Sequence, residues 1–168
     1  LTRNRDVNKN DLILLPNLEL VETNIHDYEH LTTHLKDCDA VINLVGILNE
    51  SGTNGKIFRQ VHVTLTQNII NACEQLGIKR LLQMSALNAE PDAPSHYLCT
   101  KGEAENIAHS SDTVKTTSFR PSVIFGPGDK FFNRFALLLK CIPLIFPLAC
   151  AKSKFAPVFV GDLTKAMI

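Results

Sequence analysis

The chain has 168 residues, 17 Lys+Arg against 17 Asp+Glu for no net charge, and 45% hydrophobic residues. That size and apolar content suit one domain with a sizeable core, and 20% charged residues of balanced sign exclude a disordered tail or a general nucleic-acid binder. The first residue is Leu1, and no glycine-rich turn stands ahead of the first helical stretch, so a fragment is expected.

Leu18–Val21, between Pro16 and Asn24, reads as a short strand. Asp27 has the side chain of a helix N-cap, and Leu31 and Leu35 behind it lie four apart on one face. Ala40–Val45 (AVINLV) reads as a buried strand, ended by Gly46. From Ile57 to Leu76 the spacing of Val61, Leu65, Ile69 and Cys73 predicts one long helix, stopped by Gly77. Leu81, Leu82 and Met84 make the next strand, and Ser95 can cap a helix running to about His109. Phe119–Phe125 is expected as a strand closed by Gly126-Pro127-Gly128, followed by a helix over Phe131–Lys140. Val158–Val160 reads as a short strand, with Asp162 capping a last helix. Strands alternating with helices predict an α/β fold with a parallel sheet, whose ligands sit at the carboxyl ends of the strands. That rule points to Asn43–Gly46, Met84–Ala86 and Phe125–Asp129.

Cys38, Cys73, Cys99, Cys141 and Cys150 form no C-x-x-C pair, which favours free thiols in a reducing compartment. Metal-ligand spacing is missing, and His26, His30 and His34 lack a carboxylate or thiol to complete a site. Leu1–Asn10 is polar and basic, without the apolar run of a secretory signal. Phe135–Cys150 is 16 residues long and carries Lys140, Pro143 and Pro147, short of the ~20 that a spanning helix needs. It reads as a buried helix end and a packed loop, the alternative being a surface that touches a membrane or a larger complex.

Tyr97 and Lys101 stand four apart early in a helix, on one face. A cation beside the phenol would lower its pKa, and such a pair can pass a proton to or from a substrate oxygen while a cofactor moves the hydride.

Four blocks in order resemble the short-chain dehydrogenase/reductase superfamily, in its extended or atypical, epimerase/dehydratase-like branch: DAVINLVG at Asp39–Gly46, MSA at Met84–Ala86, the Tyr97/Lys101 pair, and RPSVIFGPGD at Arg120–Asp129. Within it, INLVGILNE, MSALNA, YLCTKGEAE and PSVIFGPGDKFFNRFA are similar to the nucleotide-binding accessory subunit of respiratory complex I and its bacterial homologues. The resemblance implies a Rossmann-like, doubly wound parallel sheet of strand order 3-2-1-4-5-6-7. Its first two strands and glycine-rich phosphate turn would precede this chain, and its substrate region would follow it. The third strand, Leu18–Val21, is therefore expected to be poorly supported or paired with another chain.

By the same resemblance Asn43, Val45 and Gly46 lie against the adenosine half of a dinucleotide, Asn24 stands where relatives carry an adenine-binding Asp, and Pro121 borders the nicotinamide. Arg3 and Arg5, at the end of the second strand, either pair with a 2′-phosphate, favouring NADP over NAD, or belong to a solvated basic terminus. Tyr97, Lys101 and Ser85 are the implied catalytic residues, with Ser85 facing either a substrate carbonyl or the cofactor. His62 occupies a position where extended enzymes often have Asn.

Two functions follow. One is a module holding NADPH as a structural ligand, associated with a respiratory complex or its assembly intermediates, cytoplasmic and peripheral to the inner face of a membrane. The other is an NADPH-dependent oxidoreductase or epimerase. A third expectation is that this stretch alone, without its phosphate turn, binds no dinucleotide.

Overall fold

The computed structural model describes residues 1–2, 15–50, 52, 54–129, 131–141 and 154–168, the side chains of 133–135 and 141 excepted. The chain divides into two compact units, Leu1–Phe119 and Arg120–Ile168.

The first unit begins with α1 (Tyr28–Leu35), whose Asp27 cap accepts the N–H groups of Glu29 and His30 as expected. Strand β1 (Val41–Asn43) follows. Next, α2 (Lys56–Phe58) runs through a π-helical segment (Arg59–Thr64) into α3 (Leu65–Leu76). Gly77, at φ 74°, ends α3 in the left-handed conformation. Strand β2 (Arg80–Met84), helix α4 (His96–Ala108, capped by Ser95) and strand β3 (Lys115–Phe119) complete the unit. The three strands are parallel in the order β1-β2-β3, with Val41 opposite Leu81 and Asn43 opposite Gln83. These are the fourth to sixth strands of the expected order. The core joins Leu31 and Leu35 of α1 to Val41, Leu81 and the Leu65, Ile69, Ile70 and Cys73 stripe of α3.

Several expectations need correction here. Leu18–Val21 is poorly supported, as expected, to the point of forming no strand: one parallel bridge joins Thr2 to Glu22, with the Thr2 N–H on the Val21 carbonyl and the Thr23 N–H on the Thr2 carbonyl. A strand needs a neighbour for its backbone groups, and among the described residues only Thr2 supplies one. β1 is buried on one face only. Val41 and Asn43 turn toward the helices, whereas Ile42 is 56% exposed on the other side. The long helix starts at Lys56, and its first turn is held from outside. Glu50 accepts the Gly55 N–H at 2.7 Å through Oε1 and those of Ile57 and Phe58 at 3.1 and 3.3 Å through Oε2. Replacing Glu50 with Ala is expected to cost about 1–2 kcal/mol in urea unfolding, the range of a lost N-terminal cap; an unchanged midpoint would mean that water substitutes fully.

The second unit contains β4 (Ile124–Phe125) and β5 (Val158–Phe159), paired in parallel, with α5 (Phe131–Cys141) between them and α6 (Val160–Met167) after them. The expected Phe119–Phe125 strand is thus split. β3 ends at Phe119, before Pro121, which has no N–H to donate, and Ile124–Phe125 pairs in a separate sheet. Asp162 lies in the first turn of α6 rather than at its cap, which is Phe159. Asp129 does what was not foreseen for it: its Oδ1 accepts the Phe132 N–H at 2.7 Å, at the start of α5. Residues 136–140 are exposed, not a buried helix end, and the 142–150 part of the apolar run lies outside the described residues.

Candidate nucleotide site

Because β1 and β2 run parallel and in register, their carboxyl ends bring residues 44–47 and 84–86 side by side. Two of the three predicted loops therefore meet; the third belongs to the second unit. Lys101, one turn into α4 and 4% exposed, reaches across these ends. Its Nζ donates to the Met84 carbonyl at 3.0 Å and the Val45 carbonyl at 3.5 Å. Burial of the ammonium pulls its pKa from 10.5 down to about 8.

Gly46 stands directly against this cation. A Cβ there would lie 3.1 Å from Lys101 Nζ and 3.7 Å from His62 Nε2, so the absent side chain keeps the turn open. Ser85, at the end of β2, is 4% exposed. Its N–H donates to the Phe119 carbonyl at 2.8 Å, and its Oγ is buried with no hydrogen-bond partner. An unpartnered buried hydroxyl costs free energy unless something bonds to it. A glycine turn, an orphan hydroxyl and an ammonium with a remaining N–H thus converge at one end of the sheet, a donor set that fits the hydroxyls and amides of a dinucleotide.

Tyr97 is half-buried, its ring edge-on to Phe58 and His62 with centroids 6.0 and 5.6 Å away. The sequence expectation about its acidity is reversed: burial raises its pKa above 10, and Lys101 does not lower it. The ammonium is turned to two carbonyls, which it satisfies, and the phenol stays protonated at neutral pH.

His62 ties the site together. The Ile47 N–H donates to Nε2 at 3.3 Å, which leaves the proton on Nδ1, 3.0 Å from Thr100 Oγ1. Thr100 in turn donates to the His96 carbonyl at 2.7 Å. This chain fixes one neutral tautomer. Burial, and secondly the nearby Lys101 charge, bring the pKa of His62 down from 6.5 to about 4. His62 lies within the π-helical segment, a kind of irregularity common at functional sites.

Asn43 faces inward instead of toward an open ligand site. Its Oδ1 accepts the Val45 N–H and its Nδ2 donates to Gln83 Oε1 at 2.9 Å. Gln83 donates to Thr66 Oγ1, which donates to the His62 carbonyl. Outside this network, Glu103 of α4 pairs through both oxygens with Arg59, which raises the guanidinium pKa and lowers that of the carboxyl. Gln83, Thr66 and Thr100 escaped the sequence reading; their signal is a polar residue at positions whose neighbours are apolar and buried.

Asn24 Oδ1 accepts the His26 N–H at 3.2 Å in a local turn ahead of α1. Pro121 is in the second unit, and Arg3 and Arg5 lie outside the described residues. Cys38, Cys73 and Cys99 are free thiols, Cys73 pushed up to about 11 by burial. Among the described residues no cluster of His, Cys, Asp or Glu could hold a metal ion.

Residues 1–125 match the model of a family described as NAD(P)H-binding. The chain is 30% identical over 159 residues to the Mus musculus mitochondrial NADH dehydrogenase (ubiquinone) 1 alpha subcomplex subunit 9, covering 92% of this chain and 40% of that protein. It is 34% identical over 134 residues to a 3beta-hydroxysteroid-dehydrogenase/decarboxylase of Arabidopsis thaliana, covering 68% of this chain and 28% of that one. The fold matches a dTDP-glucose 4,6-dehydratase of Streptomyces venezuelae, solved with NAD bound, with a TM-score of 0.77 at 20% identity over 99% of this chain and 59% of that chain. The chain spans less than half the length of these curated relatives.

Proposed function

The chain belongs to the NAD(P)H-binding family, and from that premise we propose that it holds NADPH as a structural ligand, without turning it over. The observation that carries this reading is the direction of Lys101. Its ammonium is spent on the Met84 and Val45 carbonyls, and the phenol of Tyr97 is left with a raised pKa. A pair arranged in this way can bind but lacks the stabilised phenolate that proton transfer needs. Lys101 would offer its remaining N–H to the cofactor, Ser85 its hydroxyl, and Val45 and Gly46 their backbone. Asn43 would shape the turn beneath them. Asn24 would complete the adenine end, and Arg3 or Arg5 would favour NADP by pairing with a 2′-phosphate. The similarity to the mouse subunit supports association with a respiratory complex.

A second reading, an NADPH-dependent oxidoreductase, draws on the similarity to the Arabidopsis dehydrogenase/decarboxylase. When bound, the dinucleotide would supply the hydride. Tyr97 would then donate a proton to the substrate oxygen and Ser85 would orient the carbonyl.

Calorimetric titration of the full-length protein with NADPH and NADH, beside turnover assays on ketones, sugars and quinones, separates the two. We expect NADPH to bind more tightly than NADH, Lys101→Met to weaken it about tenfold, the loss of one charge-assisted hydrogen bond, and Tyr97→Phe to leave it within about threefold. Turnover that disappears in Tyr97→Phe would overturn the structural reading.

A further inference from the structure

We propose that His62 is a positioning residue for the dinucleotide: it bridges α4 to the turn at Gly46 and so sets the gap between that turn and the Lys101 ammonium. This role deepens the nucleotide-binding reading of the site and rests on it.

Two adjacent residues of α4 tie down the two sides of Gly46. Lys101 Nζ donates to the Val45 carbonyl at 3.5 Å, ahead of the glycine. Thr100 reaches the residue behind it through the ring of His62. The Ile47 N–H donates to Nε2 at 3.3 Å, and Nδ1 lies 3.0 Å from Thr100 Oγ1. Gly46 between them is exposed. A Cβ there would lie only 3.1 Å from Lys101 Nζ, so a small shift of the turn changes the room a ligand atom has beside the ammonium.

The two ring nitrogens have fixed and different tasks. Thr100 spends its one hydroxyl proton on the His96 carbonyl at 2.7 Å, so toward the ring it can only accept. The Ile47 N–H can only donate. A ring with its proton on Nδ1 satisfies both partners, and the other tautomer satisfies neither. The rings of Phe58 and Tyr97 each pack against His62 with centroids 5.6 Å away, which holds its plane. Its backbone is held as well. Thr66 donates to the His62 carbonyl at 2.7 Å and accepts from Gln83, which accepts from Asn43, which accepts the Val45 N–H. The hydrogen bonds thus leave the turn at Ile47 and return to it at Val45, and His62, Thr66, Gln83 and Asn43 are all buried. A satisfied buried network of this kind specifies one geometry. It preorganises a binding turn without touching the ligand.

NADPH titration of the full-length protein, beside nitrogen-15 spectra of its histidines, tests this role. In the unliganded protein the His62 proton is expected on Nδ1, with Nε2 bare. An asparagine amide ends near the place of Nδ1 and falls short of Ile47, whereas a glutamine amide reaches about as far as Nε2. His62→Asn should weaken NADPH binding about tenfold, on the order of one hydrogen bond. His62→Gln should recover affinity to within about threefold of wild type. Thr100→Val keeps the side-chain shape, removes the acceptor, and should weaken binding about fivefold while moving part of the ring signal to the other tautomer. Wild-type affinity in His62→Asn, equal weakening by Asn and Gln, or a free-protein ring protonated on Nε2 would overturn the proposal and leave the nucleotide reading standing. If His62→Asn does not fold, wild-type affinity in Thr100→Val would overturn it. A wild-type protein that binds neither NADPH nor NADH would overturn both.

Discussion

Acidification from pH 7 to pH 4.5 is expected to remove roughly 2–3 kcal/mol of stability through His62 alone. The pKa of this imidazole is about 4 in the folded protein against 6.5 for the free side chain. Well above pH 6.5 the ring is neutral in both states and contributes no slope. Between 6.5 and 4 the unfolded chain takes up a proton that the folded chain refuses, so stability falls as the pH falls. The cause is geometric. A protonated ring would set an N–H against the Ile47 N–H that now donates to Nε2, beside the Lys101 cation. Urea unfolding at the two pH values, on wild type and His62→Gln, checks it. The glutamine has an acceptor but no titration, so the wild-type loss should exceed that of the variant by the stated amount. Equal losses would assign acid sensitivity elsewhere. Lys101 gives the matching effect at high pH. Its folded pKa of about 8 lies below 10.5, so the unfolded chain holds the extra proton between those values and stability rises with pH across that window. Lys101→Met should flatten that rise.

Gly102→Ala is the second large effect, and its sign is the informative part. In an exposed helix interior this change gains about 1 kcal/mol from propensity. Gly102, however, is buried where α4 crosses the loop at Glu90, and a Cβ there would come within 2.4 Å of the Glu90 carbonyl carbon and 2.6 Å of its Cα. These are backbone atoms that cannot rotate aside, so either the loop or the helix must move. Overpacking of this kind costs roughly 1–3 kcal/mol and at times more. A net loss of about 2 kcal/mol or more is expected in equilibrium unfolding, against a small gain for Asn106→Ala on the exposed face of the same helix. Stabilisation by Gly102→Ala would show that the Glu90 loop yields freely.

The elements with local signals were readable from the sequence. Asp27 and Ser95 cap the helices they precede, and the Val61, Leu65, Ile69, Cys73 stripe is buried. Each depends on residues within a few positions of one another. The features that were missed depend on distance in space. Glu50 caps a helix from five to eight residues away, and Gln83 is explained only by Asn43, forty positions earlier. The close approach at Gly102 requires knowing where Glu90 lies. Tyr97 shows the same limit in chemistry: four-residue spacing puts Lys101 on its face of the helix, but carbonyls from two strand ends decide where the ammonium points.

The π-helical segment at Arg59–Thr64 has a consequence for how relatives are aligned. A π turn holds one residue more than an α turn, and one residue is about 100° of helical phase. Deleting one residue between Arg59 and Val61 would restore regular winding upstream of α3 with both flanks in phase, whereas winding the segment as α-helix with every residue kept would rotate one flank against the other. Glu50 grips the upstream flank and the apolar stripe grips the downstream one, so neither can rotate without losing its contacts. A relative with an unbroken α-helix here would need a gap of one position to keep its inward-facing residue opposite His62. Without that gap, the residue paired with His62 would be one that looks elsewhere.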